Sequence, residues 1–552
     1  MTTTLTDPVC GEEFFGREEI LQRLVKRVQG FSEGYRQNVA IVGRRSVGKS
    51  SIVNRMLATT RHMGYVSVYA EVRHEPFVRF ADRWIATVTA QVLERQGIAS
   101  TDFWQVSSEQ LHVQCPTLAA AIVHIRTLCN RNAYTQAFEQ LLRLPLILRD
   151  VLKCPPLVVL ESFERLEQWS IEEPFAILGR QIMVQPETMF LVTSAVPSQA
   201  RQILSERFSL LFGNFEVMHI GPFDLSDSCR YLQHVVEPEV IPSRLAAFLA
   251  ELVDGVPFYL HTVGRQVETL RLGQSAAPMD INRVAEMLER LMFHAEGSLH
   301  HYCAARFEEF GAALRKEPSS LLLSVLEQRR HRFGDICRLV PRSSQRIHHL
   351  LNQFVGAGVV ERSGCFSYLT DPFWGLWECH VRQPREHGPD GNLAKMAEQF
   401  RNTLHRRYER FSASCEQHEA DRIAKLFRLF RRDLVHINHY DRWLVPFETV
   451  DVKPLPTLHG ALLEAEGWEG RWLVLVMYEA FMNEQSVVDF AALAKRARPA
   501  WHRRIMIPLA GIDDGAALLA KAEQMWVWSI DTVNFLMRLH GEPPIFSSVV
   551  ER

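Results

Sequence analysis

The sequence predicts an α/β protein, a parallel sheet wrapped by helices and followed by further domains of mixed structure. Three observations carry that expectation. Short apolar runs at residues 38–42, 65–72, 157–160 and 189–194 alternate with helical periodicity, as in a parallel sheet whose site lies at the strands' C-terminal ends. A turn with the spacing G-x-x-x-x-G-K-S follows the first run directly. Beyond residue 312 the texture changes, first to short helices with a hairpin and then to a second set of strands.

Length and composition bound the answer. At about 150 residues per domain, 552 residues amount to three or four domains. With 47% hydrophobic and 23% charged residues, a disordered, collagen-like or disulfide-stapled chain is excluded. Lys and Arg (62) nearly balance Asp and Glu (64), which excludes a uniformly basic nucleic-acid coat but not a local basic face. The net charge of −2 also does little to oppose a homo-oligomer. The ten cysteines are scattered without a C-x-x-C pair, as in reduced thiols, and the adjacent Cys379-His380 reads as structural. No basic-then-apolar leader and no run of about 18 apolar residues occurs, so a cytoplasmic protein without a membrane partner is expected.

The first element is the strand Asn38-Val39-Ala40-Ile41-Val42, followed by Gly43-Arg44-Arg45-Ser46-Val47-Gly48-Lys49-Ser50 and then a helix from Ser51. The spacing has a physical reason. Glycines at 43 and 48 let the backbone curl until successive N–H groups face phosphate oxygens. The helix that follows presents its positive end to the same anion. Lys49 adds a charge near the β- and γ-phosphates, and Ser50 offers a hydroxyl to Mg2+. ATP (or ADP) with Mg2+ is the ligand this loop calls for.

A second strand at 65–72 and helical patterns to about 96 and from 117 to 152 come next. The strand Leu157-Val158-Val159-Leu160 then ends in Glu161-Ser162-Phe163-Glu164-Arg165-Leu166, an apolar run ending in an acid that can hold the metal. The strand at 189–194 closes on Thr193 and Ser194, hydroxyls suited to a γ-phosphate or its attacking water.

With these residues the chain resembles the archaeal-type P-loop ATPases of the AAA+/STAND group. Phe14-Phe15-Gly16-Arg17-Glu18-Glu19-Ile20 is similar to the segment that precedes the first strand there, which places Phe15 and Arg17 near the adenine. Thr193-Ser194 falls at the family's sensor position, and Gly255-Val256-Pro257 resembles the Gly-x-Pro element of its helical lid, where the proline couples nucleotide to the downstream domain. The resemblance implies cofactor contacts from Gly43 through Ser51, from Phe15 and Arg17, from Thr193 and Ser194, and from Pro257.

The departure is in the strand ending at Glu161. In one register Glu161 takes the metal-side acid position and Ser162 that of the catalytic glutamate, which predicts slow hydrolysis because serine is no base at neutral pH. In the other, Leu160 replaces the metal-side acid and Glu161 is the base. Glu164, one turn on, is a substitute base in either. Arg207 reads as a γ-phosphate sensor or arginine finger, or as a solvated helix arginine.

Residues 242–312 are helical in pattern, as a lid requires. Helices at 319–326, 333–339 and 343–357 precede two strands around Ser363-Gly364, which together make a winged helix, followed by Asp371-Pro372-Phe373-Trp374. The third helix would offer Ser344, Gln345, Arg346, His348 and His349 to DNA. Basic residues exceed acidic ones only modestly between Lys316 and Trp377, with Arg329 and Arg330 among them, so DNA contact and a plain inter-domain clamp both stand.

A turn-rich linker at 384–391 leads to helices at 393–411 and 420–434. On the second, Arg422, Lys425 and Arg428 (or Arg432) recur opposite Ile423, Leu426, Phe427 and Phe430, either as a solvated face or as a strip for nucleic acid or an acidic partner. Strands are expected at 443–452, 461–465, 471–477, 504–508 and 525–529, and the ending 531–541 resembles restriction-endonuclease-like domains attached to this ATPase family. Such nucleases need an E-x-K on a strand, but those positions hold Val476 and Tyr478, and Glu479 is one residue off, on the other face.

The whole therefore reads as an ATPase core at 1–222, a helical lid at 223–312, a winged helix at 313–382 and an α/β nuclease-like domain without its chemistry at 392–552. A nucleotide-gated switch or assembly platform with slow hydrolysis and a protein partner is the first functional expectation. An active oligomeric AAA+ ATPase that remodels or loads a complex on DNA, in a mobile-element or defence system, is the alternative.

Overall fold

The computed structural model describes residues 8–9, 11–95, 115–208, 215–237, 239–273, 278–310, 317–328, 331–387, 393–437, 440–455, 458–478, 481–496 and 500–546. The leader reading at 1–7, Lys316, Arg329, Arg330, the linker residues 388–391 and Glu479 lie outside the described residues. The chain divides into two compact units, Met1–Pro222 and Phe223–Arg552.

In the first unit, β1 (Asn38–Val42), β2 (Val66–Glu71), β3 (Pro156–Glu161), β4 (Met189–Ser194) and β5 (Phe215–His219) form one sheet of order β2-β3-β4-β1-β5. Every neighbouring pair is parallel. The strands are near-continuous apolar runs because both faces are covered. Val39, Ile41, Leu157, Val159 and Leu191 pack on one side with α1 (Glu18–Ser32) and α2 (Lys49–Thr60). Ala40, Val42, Val158, Leu160 and Val192 pack on the other with α3 (Phe77–Arg95) and the helices α4 (Pro116–Asn130), α5 (Tyr134–Leu141) and α6 (Leu144–Leu152). Asn38, buried at the start of β1, accepts the Phe190 N–H at 2.9 Å and so fixes β1 beside β4. The sequence pattern did not reveal β5. It is an edge strand with mixed exposure, so it lacks the apolar run that marked the others.

The second unit opens with the helices α7 (Leu225–Val235), α8 (Ser243–Leu252), α9 (Pro257–Gly273), α10 (Ile281–Phe293) and α11 (Ser298–Phe310). Then come α12 (Glu317–Gln328), the short β6 (His331–Arg332), α13 (Phe333–Leu339), α14 (Ser344–Gly356) and the hairpin of β7 (Val360–Ser363) and β8 (Phe366–Leu369). The three strands form an antiparallel sheet of order β6-β8-β7. Ser343 caps α14 by accepting the Arg346 N–H, and Ser344, Gln345, Arg346, His348 and His349 are exposed while Ile347, Leu350, Leu351 and Phe354 are buried.

Helix α15 (Leu393–Cys415) and α16 (Glu419–Arg428) precede the hairpin of β9 (Asp433–Ile437) and β10 (Tyr440–Leu444). A mixed sheet follows, in the order β11 (Thr449–Leu455), β12 (Gly460–Gly467), β13 (Gly470–Met477), β14 (Arg503–Pro508) and β15 (Trp526–Val527), with the last helix at Ile530–Leu539. Two expectations are corrected here. The helix expected to reach residue 434 ends at Arg428, because Arg432 turns left-handed (φ 52°) and Asp433 starts a strand. The single strand expected at 443–452 is two strands in two sheets, split around Pro446, which has no N–H for a ladder.

The basic residues expected on one strip here have partners within the chain, with Arg432 lying beyond the end of α16. Arg422 is buried and donates to the Pro543 and Pro544 carbonyls (2.6 and 2.9 Å), Lys425 pairs with Glu542 at 2.8 Å, Arg428 donates to the Val450 carbonyl at 2.6 Å, and Arg432 pairs with Glu469 at 3.5 Å. Lys425 and Arg428 are exposed opposite the buried Ile423, Leu426, Phe427 and Phe430, and only Arg422 is drawn into the core. In β13, Val476 is fully buried, and among the described residues no group of three or more His, Cys, Asp or Glu is placed to hold a metal. No helix among the described residues is long and apolar enough to cross a membrane.

Candidate nucleotide site

The site is built where β1, β3 and β4 end. The Gly43 N–H donates to the Ser194 carbonyl at 3.2 Å, so the loop leaves the sheet tethered to β4. A Cβ at Gly43 would lie 2.1 Å from the Ile220 carbonyl oxygen, and no side chain fits there. Gly48 has open space around it, and its φ of 93° is what requires glycine. Ser46 shares that left-handed turn (φ 62°), Val47 is buried in the core beneath, and Arg44 and Arg45 are half-buried. Helix α2 starts without a side-chain cap, which leaves its first N–H groups to an anion.

Lys49 is buried, and its ammonium donates to the Gly43 and Arg44 carbonyls at 2.9 and 2.7 Å, which fixes a positive charge at the loop. The Ser50 hydroxyl donates to Glu161 Oε2 at 3.1 Å, and the Tyr69 hydroxyl donates to the same oxygen at 2.5 Å. Glu161 Oε1 is buried with no hydrogen-bond partner among the described residues. An orphaned carboxylate oxygen beside the loop serine fits a hydrated Mg2+, which prefers to keep its waters and touch few carboxylates. Burial pushes the Glu161 carboxyl above its usual range, against the pull of the Tyr69 and Ser50 hydrogen bonds. Burial and the Glu161 charge also raise the Tyr69 phenol well above its usual value, so it stays a donor.

Ser162 comes next in a left-handed turn (φ 54°), its N–H donating to the Thr193 hydroxyl at 3.3 Å. Glu164 is buried; its Oε1 accepts the Ala195 N–H at 3.0 Å, and its Oε2 has no hydrogen-bond partner among the described residues. The Ser194 hydroxyl accepts the Val196 N–H at 3.1 Å. The Thr193 hydroxyl and the Glu164 carboxylate therefore tie the ends of β3 and β4 together, while the Ser194 hydroxyl braces the turn that leaves β4.

Gly16 and Arg17 are both left-handed (φ 66° and 67°), and Arg17 donates to the Gly221 carbonyl at 2.5 Å. Val9 donates its N–H to the Ser51 hydroxyl at 3.1 Å, and Arg55 of α2 lies 5.9 Å from the Phe14 ring centre. The half-buried Phe15 thus belongs to a segment that crosses the start of α2, and Ser51 holds that segment. Arg207 is exposed at the end of the wide helical turn Ile203–Arg207. Pro257 opens α9 in the second unit. Sequence reasoning missed Tyr69. Its role depends on β2 pairing with β3 in the register Tyr69↔Val159, which no local pattern announces.

This loop in this parallel sheet defines the class: the first unit has the fold of a P-loop nucleoside triphosphatase. Residues 13–182 match the AAA ATPase domain family. Among solved structures, the Walker-type ATPase of Pyrococcus abyssi is 16% identical, with 68% of this chain and 98% of that chain covered at a TM-score of 0.44. The ORC2 protein of Aeropyrum pernix, solved in ADPNP–ADP complexes, is 11% identical over 72% of this chain and 97% of its own, with a TM-score of 0.43. The ORC1 protein of Aeropyrum pernix, solved in complex with DNA, is 15% identical over 68% and 94%, with a TM-score of 0.36. No curated protein matches the chain.

Proposed function

We propose that the chain is an ATP-binding regulatory ATPase, a nucleotide-gated switch or assembly platform with slow hydrolysis. One observation carries this reading: a complete phosphate loop meets Glu161 through Ser50, while the neighbouring position that needs a base holds Ser162. Lys49 and the loop N–H groups would bind the phosphates of ATP or ADP, and Ser50 with Glu161 would hold Mg2+. The metal supplies charge neutralisation between the β- and γ-phosphates. Phe15 and Arg17 would border the base, and Thr193, through its bond to the Ser162 N–H, and Ser194 beside it would register the γ-phosphate.

Downstream, Pro257 and its helix would carry the state onward, as the family resemblance implies. The α12–β8 segment is read as a winged helix, with α14 as the face offered to DNA. Its hairpin tip favours a clamp over a DNA-reading wing, because the Cys365 N–H donates to the Leu434 carbonyl and the His436 N–H donates to Ser363 Oγ. The C-terminal region is read as a nuclease-like platform without the chemistry, and the partner as a protein, with DNA alongside. Isothermal titration tests the core of this reading: Lys49→Ala should abolish nucleotide binding, and undiminished binding would overturn it.

A second reading is an active oligomeric AAA+ ATPase that remodels or loads a complex on DNA. The buried, half-partnered Glu164 favours it as a base, and exposed Arg207 suits a finger reaching a neighbouring subunit. Turnover at background level in the presence of DNA would sink it.

A further inference from the structure

We infer that the edge where β10 meets β14 and β15 binds single-stranded polynucleotide, with bases stacked at Tyr440 and phosphates held by Arg442 and Arg503. This site lies in the second unit and does not depend on the nucleotide reading of the first.

The edge alternates rings and guanidinium groups. Arg442 lies 4.9 Å from the Tyr440 ring centre and 4.7 Å from that of Trp526, and Arg503 lies 4.9 Å from the same indole. Trp526 is itself held edge-on by Trp472, 5.6 Å away, and Trp472 is core. The two cations are thus ordered by stacking on a ring that is anchored from below. Neighbouring arginines of the same region have carboxylate partners: Arg471 with Glu466, Arg504 with Glu523, Arg432 with Glu469. Arg442 and Arg503 have none among the described residues, so their charge is uncompensated. Tyr440 is 60% exposed beside them.

Fixed, unpaired guanidinium groups next to an exposed ring match the needs of an unpaired nucleic-acid strand. Its bases stack on aromatic and guanidinium faces, and its phosphates take the charge at little ordering cost. A duplex keeps its bases inside and cannot use the ring. A small anion or an acidic peptide would use the charges but leave Tyr440 idle.

Fluorescence anisotropy of the full chain with a labelled oligothymidylate tests the site. The expected result is binding that Tyr440→Ala and Arg503→Glu each weaken by about ten-fold, with Arg503→Glu also lowering the salt dependence by about one ion. Lys49→Ala should bind the oligonucleotide like the unaltered chain, which separates this site from the nucleotide reading. Should Tyr440→Ala melt early, Arg503→Glu at its exposed strand start gives the same answer, as does tryptophan quenching on binding that is lost in Trp526→Phe. No binding, equal binding by the folded variants, or equal affinity for a duplex of the same length would overturn the proposal.

Discussion

The Tyr259 hydroxyl donates to Asp371 Oδ2 at 2.7 Å, and the same oxygen accepts from Arg306 at 2.8 Å. The Trp374 N–H donates to the other oxygen at 2.9 Å, and all of these side chains are buried. Helix α9, which Pro257 opens, is therefore tied two residues in to the turn that follows the β7–β8 hairpin. Burial and the Asp371 charge push the Tyr259 phenol well above its usual value, so it remains a donor across the working pH range.

Removing that donor and removing the carboxylate charge should differ in cost. Tyr259→Phe leaves Asp371 with Arg306 and Trp374 and should cost about 1–2 kcal/mol. Asp371→Asn strands the Arg306 charge in the core and should cost about 3–5 kcal/mol. Urea denaturation of the second unit's transition reads both, and equal losses would mean that the aspartate does not balance the charge.

The Glu161 carboxylate should be read through its metal. Glu161→Gln keeps the shape and the Ser50 contact but removes the charge that a hydrated Mg2+ needs. Nucleotide affinity in Mg2+ should fall to the value measured in EDTA, with affinity in EDTA unchanged. Titration in both buffers checks this, and a Mg2+ gain surviving in the variant would place the metal elsewhere.

Restoring a carboxylate beside Glu161 should raise turnover. Ser162 already occupies its left-handed turn as a non-glycine residue, so Ser162→Glu adds little backbone strain. A positioned base contributes about 10²–10⁴-fold, and a rise of roughly ten-fold or more in phosphate release is expected. An unchanged rate would show that the missing base is not what limits hydrolysis.

Asp433 predicts an acid limb in stability. Burial opposes its ionisation, but the hydrogen bonds from Arg332 (2.6 and 2.7 Å) and from His540 outweigh that and hold the carboxyl far below its usual range. A depressed folded value means that the stabilisation is complete above the unfolded value of about 3.9 and is lost as pH falls below it. Asp433→Asn should therefore lose about 3 kcal/mol at neutral pH and show a shallower loss on acidification. Thermal melts across that range report it, and parallel curves for both proteins would refute it.

Much of the first unit was legible because its strands are buried on both faces. Asn38–Val42 and Met189–Ser194 carry that burial in their composition, and the glycine loop carries its own geometry. The second unit was legible at its helices and less so at its strands. The β9–β10 hairpin was read as the end of a helix and the start of a longer strand, because Asp433 acts through Arg332 and His540, distant in sequence, and the break at Pro446 separates strands of two different sheets. Thr193 and Glu164 show the same limit within the site: their residue types suggested chemistry, and their neighbours decided which contacts they make, while Tyr69 came into view only through the pairing of β2 with β3.

The sequence by itself determined the parallel α/β core, the phosphate loop and the absence of a glutamate after Glu161, since local backbone demands and strand burial are written in adjacent residues. Only the tertiary structure decided that Glu161 meets Ser50 and Tyr69, that the cations of α16 have partners within the chain, and that Arg442 and Arg503 share one indole without a carboxylate partner among the described residues. Those outcomes depend on which strands pair and in what register, and side chains far apart in the chain meet only once that pairing is set.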